Sequence, residues 1–343
     1  MMEEYDILRN TVREFVDKNV ENISLNIERE GIQNDLIVKL GSLGSLTARA
    51  PVDKGGSGLD DVAYMIILEE LARSSPSVAM KVFLTNMFLE IYGAGSEMIA
   101  DIASGRINVS VAFPEIYRKS EYSDELKVEN GKIVGTKKNV MNGKCNAIIV
   151  SADGGNNLYL VRSGFRANEK PHLGIRGMDF SDIEFNSSDF EKIDGKGIKT
   201  ISERLSSDRR FVAVIFAGLS AGTIDKAVEY SKVRFAFDHP LKDFGPLASS
   251  LASMKSEIDM IRNFTYSASD DYSSAVSKIK AKALSVDASR LSLQVHGGYG
   301  YIQDFGIEKF YRDAMALSII FGDDSSENRA ISDHIFGGES ASV

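Results

Sequence analysis

Hydrophobic positions in the first hundred residues recur at helical spacing. Tyr5, Leu8, Val12 and Phe15 step by three and four, which places them on one face of a helix. The pattern breaks at Ala50-Pro51-Val52-Asp53-Lys54-Gly55-Gly56-Ser57-Gly58, where proline and paired glycines dictate a loop. Asp60 or Asp61 is placed to cap the next helix, which carries Ile66, Ile67, Leu68 and Leu71 and should stop near Ser74-Ser75-Pro76. The period then shortens to two. Ile107, Val109, Val111 and Phe113 alternate as a half-buried strand does. Asn130-Gly131 separates Leu126–Val128 from Lys132–Val134, and that dipeptide suits a tight hairpin because both central residues take positive φ. A second hairpin is expected between Ala147–Ser151 and Leu158–Val161. From about residue 200 the helical period returns: Leu251, Met254, Ile258 and Ile261 form a bundle-type stripe, and residues 281–295 read as helix until Gly297-Gly298. The expected fold is α+β in three parts: an N-terminal helical domain (1–105), a small antiparallel β-domain (106–200) and a C-terminal four-helix-type bundle (201–343).

Composition narrows the function. The 343 residues are 43% hydrophobic and 26% charged, an ordinary globular balance with room for two or three domains. No apolar run reaches the ~18–20 residues a membrane span requires, and Met1–Asn10 lacks a signal-peptide pattern, so a cytoplasmic protein without a membrane partner is expected. Forty basic against forty-nine acidic residues give a net charge of −9, which speaks against nucleic acid as a partner. One cysteine, Cys145, rules out an internal disulfide and is expected as a buried or neutral thiol. The four histidines (His172, His239, His296, His334) share no metal-ligand spacing, so no metal is expected.

Three separated motifs carry a family likeness. Gln294-Val295-His296-Gly297-Gly298-Tyr299-Gly300-Tyr301, with Ile307-Glu308-Lys309-Phe310-Tyr311-Arg312-Asp313-Ala314, closely resembles the C-terminal signature of the acyl-CoA dehydrogenase family. Gly55-Gly56-Ser57-Gly58-Leu59-Asp60 and Glu69-Glu70-Leu71-Ala72-Arg73 resemble its opening signature, and Leu173-Gly174-Ile175-Arg176-Gly177 its middle segment. The resemblance spans nearly the whole chain in order. It implies FAD as cofactor, an acyl-CoA thioester as substrate, oxidation between Cα and Cβ, an electron-transfer partner, and a homodimer or homotetramer. In such a site a carboxylate takes the Cα proton while the flavin accepts the electron pair.

The resemblance also assigns residues. Arg234 matches the arginine that holds the FAD pyrophosphate. Gln294 and the Gly297, Gly298 and Gly300 backbone match the segment approaching the cofactor of a neighbouring subunit; that glycine loop also reads as a helix C-cap. Ser120 keeps a hydroxyl at a flavin- and substrate-binding position, whereas Pro114, Asn139 and Met141 replace residues that would stack on or donate to the flavin. The proton acceptor of common members is replaced by Phe321, with Gly322 in register. Another branch of the family keeps its glutamate before an arginine on a different helix, and Asp208-Arg209 stands there. Asp208 is therefore the candidate base, with Arg209 beside the substrate; the same aspartate also suits a helix N-cap. Asp323 and Asp324, near the lost glutamate, read as caps of the last helix. Three functions remain open: a dehydrogenase with a displaced base, a flavin monooxygenase of the same fold, or a non-catalytic paralogue acting as a structural or binding subunit.

Overall fold

The computed structural model describes residues 2–113, 126–322 and 324–337. The chain opens with α1 (Met2–Asn19), α2 (Ser24–Glu30), α3 (Asn34–Ser42), α4 (Asp61–Ser74), α5 (Pro76–Tyr92) and α6 (Ser96–Ala103). Asp60 is the residue that caps α4: its carboxylate accepts from the Ala63 amide at 2.8 Å and from the Tyr5 hydroxyl at 2.7 Å. Pro76 opens α5 at a position whose missing N–H costs nothing.

Strands follow: β1 (Val109–Val111), β2 (Lys127–Glu129), β3 (Lys132–Met141), β4 (Ala147–Ala152), β5 (Asn157–Val161), β6 (Phe165–Glu169), β7 (Phe180–Ser187) and β8 (Phe190–Ile193). Among the described residues they form two four-stranded sheets, ordered β1-β4-β5-β8 and β2-β3-β7-β6. Asn130 and Gly131 take φ of 51° and 71° in the β2–β3 turn, as the dipeptide predicts. The second hairpin joins β4 to β5 in antiparallel register. One pairing departs from a wholly antiparallel layout. β1 runs parallel to β4, Val109 beside Ala147, because β2 and β3 leave for the other sheet before the chain returns.

Helices resume with α7 (Ile198–Ser207) and α8 (Arg209–Val233). After the short ladder of β9 (Phe235–Ala236) and β10 (His239–Pro240) come α9 (Gly245–Ser267), α10 (Asp271–His296), α11 (Gly298–Tyr301), α12 (Glu308–Ile320) and α13 (Ser325–Phe336). Leu251, Ile258 and Ile261 of the expected stripe are buried on α9, with Met254 packed against the core.

Helix α8 joins the layers, packing on α4, α9 and α10. Gly218 and Gly222 let α4 approach closely: a Cβ at these positions would lie 2.3 Å from the Glu69 carbonyl and 1.9 Å from the Arg73 carbonyl. By length and composition α8 could cross a membrane, contrary to the expectation from apolar runs. Its most apolar window is 83% buried, so the stretch is apolar because other helices cover it. Two acids stand in this core. Glu69 and Glu70 receive Arg9 at 2.9 and 2.6 Å, and Glu69 also takes Arg262 at 2.8 Å and the Tyr266 hydroxyl at 2.7 Å. The pairing satisfies charges that could not be buried alone and ties α1 and α4 to α9.

Candidate functional site

The position of the lost glutamate lies at the end of α12. Phe321 is 4% exposed, its ring centroid 6.1 Å from Phe83 and 6.3 Å from Phe113. An aromatic cluster occupies the place, with no proton acceptor on Phe321 itself.

Asp208 joins α7 to α8 and is 1% exposed. Arg209, the arginine beside it in sequence, does not hold it. Its carboxylate lies against the Arg204 guanidinium, one turn earlier: Nε donates to Oδ2 at 2.8 Å and Nη2 donates to Oδ1. The N-cap reading also fails in detail, because the Asp208 side chain makes no capping hydrogen bond. Burial raises its pKa to about 6 against the pull of Arg204, with Glu90 pushing in the same direction as burial. Arg204 reaches a second carboxylate, Glu90, at 3.1 Å, and Glu90 also takes Arg49 at 2.9 Å. Glu90 and Phe83 stand seven residues apart on α5, about two turns, so the carboxylate that shares Arg204 with Asp208 and the ring that packs on Phe321 lie on one face of that helix, roughly 10 Å apart along its axis.

Arg209 is corrected as a substrate contact. It is 3% exposed and saturated by protein acids, ion-paired to Glu327 at 3.1 Å and to Asp271. Arg210 pairs with Asp61 and donates to the Ala268 carbonyl at 2.8 Å. Asp324 does not cap α13 with its carboxylate, which holds Lys282 at 2.6 and 2.5 Å instead. Pro114, Ser120 and Asp323 lie outside the described residues.

The residues assigned to the dinucleotide remain together at the other end of α8. Arg234 is exposed and its guanidinium lies 5.9 Å from the Tyr299 ring centroid. Gln294 and Gly297 line an open groove of about 1000 Å³ with Arg290, Tyr301 and Arg312. Gly297 and Gly298 face open space where a Cβ would stand, whereas Gly300 does not: a Cβ there would lie 2.8 Å from the Leu293 carbonyl and 3.1 Å from the His296 Cβ. Gly300 is therefore bare because the packing around α10 leaves no room for a side chain.

This donor set fits the dinucleotide half of FAD: an exposed guanidinium for a pyrophosphate, a free-standing amide, and glycine-bared backbone. Of the positions that the resemblance matches to the flavin ring, Met141 and Asn139 are among the described residues. Met141 is buried with its thioether. Asn139 sits in a β-bulge at φ 55°, where asparagine is tolerated, and its backbone N–H donates to Asp182 Oδ1 at 3.0 Å. The Cys145 thiol is held neutral, as expected, its pKa pushed up to about 12 by burial.

Two contacts escaped the sequence reading. Arg204 stands four residues before Asp208, a helical ion-pair spacing that was there to be read. Lys81, alone in the apolar run Val78–Leu84, is 5% exposed.

Comparison with known proteins extends the match. Residues 2–101 match the family model "Acyl-CoA dehydrogenase, N-terminal domain" and residues 195–336 match "Acyl-CoA dehydrogenase, C-terminal domain". A 3-(aryl)acrylate reductase from Clostridium sporogenes is 25% identical, covering 97% of this chain and 98% of that protein. The mitochondrial short-chain specific acyl-CoA dehydrogenase of Rattus norvegicus is 27% identical, over 97% of this chain and 90% of its own. A glutaryl-CoA dehydrogenase from Mycobacterium smegmatis, solved with FADH2, shares the fold with a TM-score of 0.86 at 18% identity, covering 99% of this chain and 96% of that one. Helices, sheets and helices thus follow the same order and path from end to end, and the chain belongs to the acyl-CoA dehydrogenase family.

Proposed function

We propose that the protein is an FAD-dependent oxidoreductase acting on the Cα–Cβ bond of an acyl-CoA thioester, with Asp208 as the proton acceptor. The observation that carries the reading is Asp208 itself: a buried carboxylate whose pKa is raised to about 6, linked through Arg204 to Glu90 on the α5 face that also carries Phe83 of the Phe321 cluster. FAD, when bound, supplies the two-electron acceptor. Arg234, Gln294 and the Gly297 and Gly298 backbone hold its dinucleotide half. Phe113, Met141 and Phe321 wall the reacting end with apolar surface and exclude water. Asp208 takes the Cα proton when Arg204 swings onto Glu90, which it already touches, leaving no cation unpaired. The chain works as a homodimer or homotetramer in the cytoplasm, with the Gln294 segment completing a neighbour's cofactor site, and passes electrons to a separate carrier. The relative named as an aryl-acrylate reductase extends the reading to the reverse direction, where Asp208 would return the proton.

A second reading, a non-catalytic binding subunit, is favoured by one observation: Phe321 packs against Phe83 and Phe113 where common members keep their base. Purified protein decides between them. Yellow protein carrying about one flavin per chain, bleached anaerobically by an acyl-CoA and no longer bleached in Asp208→Asn, supports the first. Protein that stays colourless after FAD is added supports the second. Flavin that is bound and bleached at an equal rate in Asp208→Asn removes Asp208 from the mechanism.

A further inference from the structure

Lys81 stands on α5 two residues before Phe83, about 200° round the helix, so it points away from the Phe321 cluster. It lines a separate cavity of about 460 Å³ between α2, α3, α5 and α6 and the β-domain. Its ammonium is held by Asn108 Oδ1, which also accepts from Asn142 Nδ2 at 2.9 Å. Asn142 Nδ2 in turn donates to the Val109 carbonyl at 2.8 Å, fixing the group from the β1 side. An ammonium carries three donors. Among the described residues, Asn108 is the side-chain acceptor for Lys81, and no carboxylate lies within ion-pair distance.

The other charges around the cavity are spoken for. Lys144 holds Glu169 at 2.5 Å, Arg29 holds Asp304 at 2.9 Å, and Arg176 approaches Glu28 at 3.8 Å. Asp179 accepts from the Ser181 hydroxyl at 2.6 Å and the Lys144 amide at 3.1 Å, and Glu30 is exposed at the rim. Lys81 is thus a buried cation with no carboxylate in ion-pair contact; Asp179 acts on it only from longer range, which leaves room for an anion to complete the site. Burial already lowers its pKa to about 8. Leu46, Ile102 and Met178 supply the apolar part of a lining that is otherwise largely polar.

We propose that this cavity binds a small monocarboxylic acid with an apolar body, its carboxylate accepting hydrogen bonds from Lys81 Nζ while its carbon chain lies on Leu46, Ile102 and Met178. The volume suits a ligand smaller than a drug-sized molecule, and the apolar part of the lining selects an organic acid over an inorganic anion. The site is independent of the flavin and of Asp208.

The test is calorimetric titration of the full-length protein with hexanoate, with hexanamide as its neutral counterpart and with inorganic phosphate. Hexanoate binds; hexanamide binds about tenfold or more weakly, the effect of one charge-assisted hydrogen bond; phosphate gives no heat. Lys81→Met weakens hexanoate by a similar factor, whereas Asp208→Asn leaves it unchanged, which separates this cavity from the proposed acyl site. If Lys81→Met does not fold, the wild-type protein still decides: hexanoate slows acetylation of Lys81 by acetic anhydride, read by peptide mass. Absence of hexanoate binding, equal binding of the amide, binding of phosphate in its place, binding unaltered in Lys81→Met, or an unprotected Lys81 amine each overturns the proposal.

Discussion

Replacing Asp208 by asparagine separates its two effects, because stability and rate should move in opposite directions. In the unfolded chain this carboxyl titrates near 3.8, and in the native protein burial moves it to about 6. The native state therefore holds the proton more tightly. Below the unfolded value both states are protonated and the group's contribution is fully present; it is lost as pH rises through the native value. A difference of about two pKa units at 1.36 kcal/mol each amounts to roughly 3 kcal/mol. Asparagine has the shape of the protonated carboxyl and does not titrate. The stability of Asp208→Asn relative to wild type should thus improve by about 3 kcal/mol between about pH 4 and pH 7. Arg204 keeps Glu90 at 3.1 Å in the variant, so loss of its partner does not reverse the trend. Urea unfolding of both proteins at steps across this range measures the difference directly. Acyl-CoA-dependent flavin reduction in wild type should fall as pH drops below about 6, and the variant should lose about two or more orders of magnitude. A stability difference that is flat with pH, or that worsens as pH rises, refutes the raised pKa. A variant with the wild-type rate refutes the base.

Three further outcomes follow from the packing and the dinucleotide end. Phe321→Ala opens a hole between Phe83 and Phe113 and should cost about 3–5 kcal/mol in chemical denaturation; a loss below about 1 kcal/mol would mean the cluster is loosely formed. Gly222→Ala places a methyl 1.9 Å from the Arg73 carbonyl and should destabilise by about 1–3 kcal/mol or more, with a lower calorimetric melting temperature. Arg234→Gln should weaken FAD about tenfold or more in a flavin-fluorescence titration while the melting temperature of flavin-free protein stays unchanged; equal affinity would remove Arg234 from the cofactor site.

Local signals carried much of this fold. The switch of period near residue 107, the Asn130-Gly131 turn and the Asp60 cap are all decided by residues close in sequence, so they could be read directly. The parallel pairing of β1 with β4 could not, since a strand's pattern tells which face is buried and not which strand lies beside it. The same limit governs the site. Phe321 announces its lost chemistry by its residue type. Arg209 looked like a substrate contact because it follows Asp208, yet a helix turns each successive residue by about 100°, which sends Arg209 to Glu327 and leaves Asp208 facing Arg204. Glu69 and Glu70 are buried because Arg9 and Arg262, far away in sequence, reach them.

That last clasp has a consequence for how the chain is made. The face of α4 is covered by α8, and Glu69 acquires Arg262 nearly two hundred residues after itself. Emerging from the ribosome, the N-terminal helices leave apolar surface uncovered, and Glu69 holds only part of its clasp, until α8 and then α9 are synthesised. At about 5–20 residues per second that interval lasts on the order of ten seconds or more, long compared with collapse of a helical segment. Contacts of such long separation also slow the folding search itself. A nascent chain stalled before Arg209 should therefore be held by chaperones or degraded, whereas release after α9 lets the whole helical core close at once.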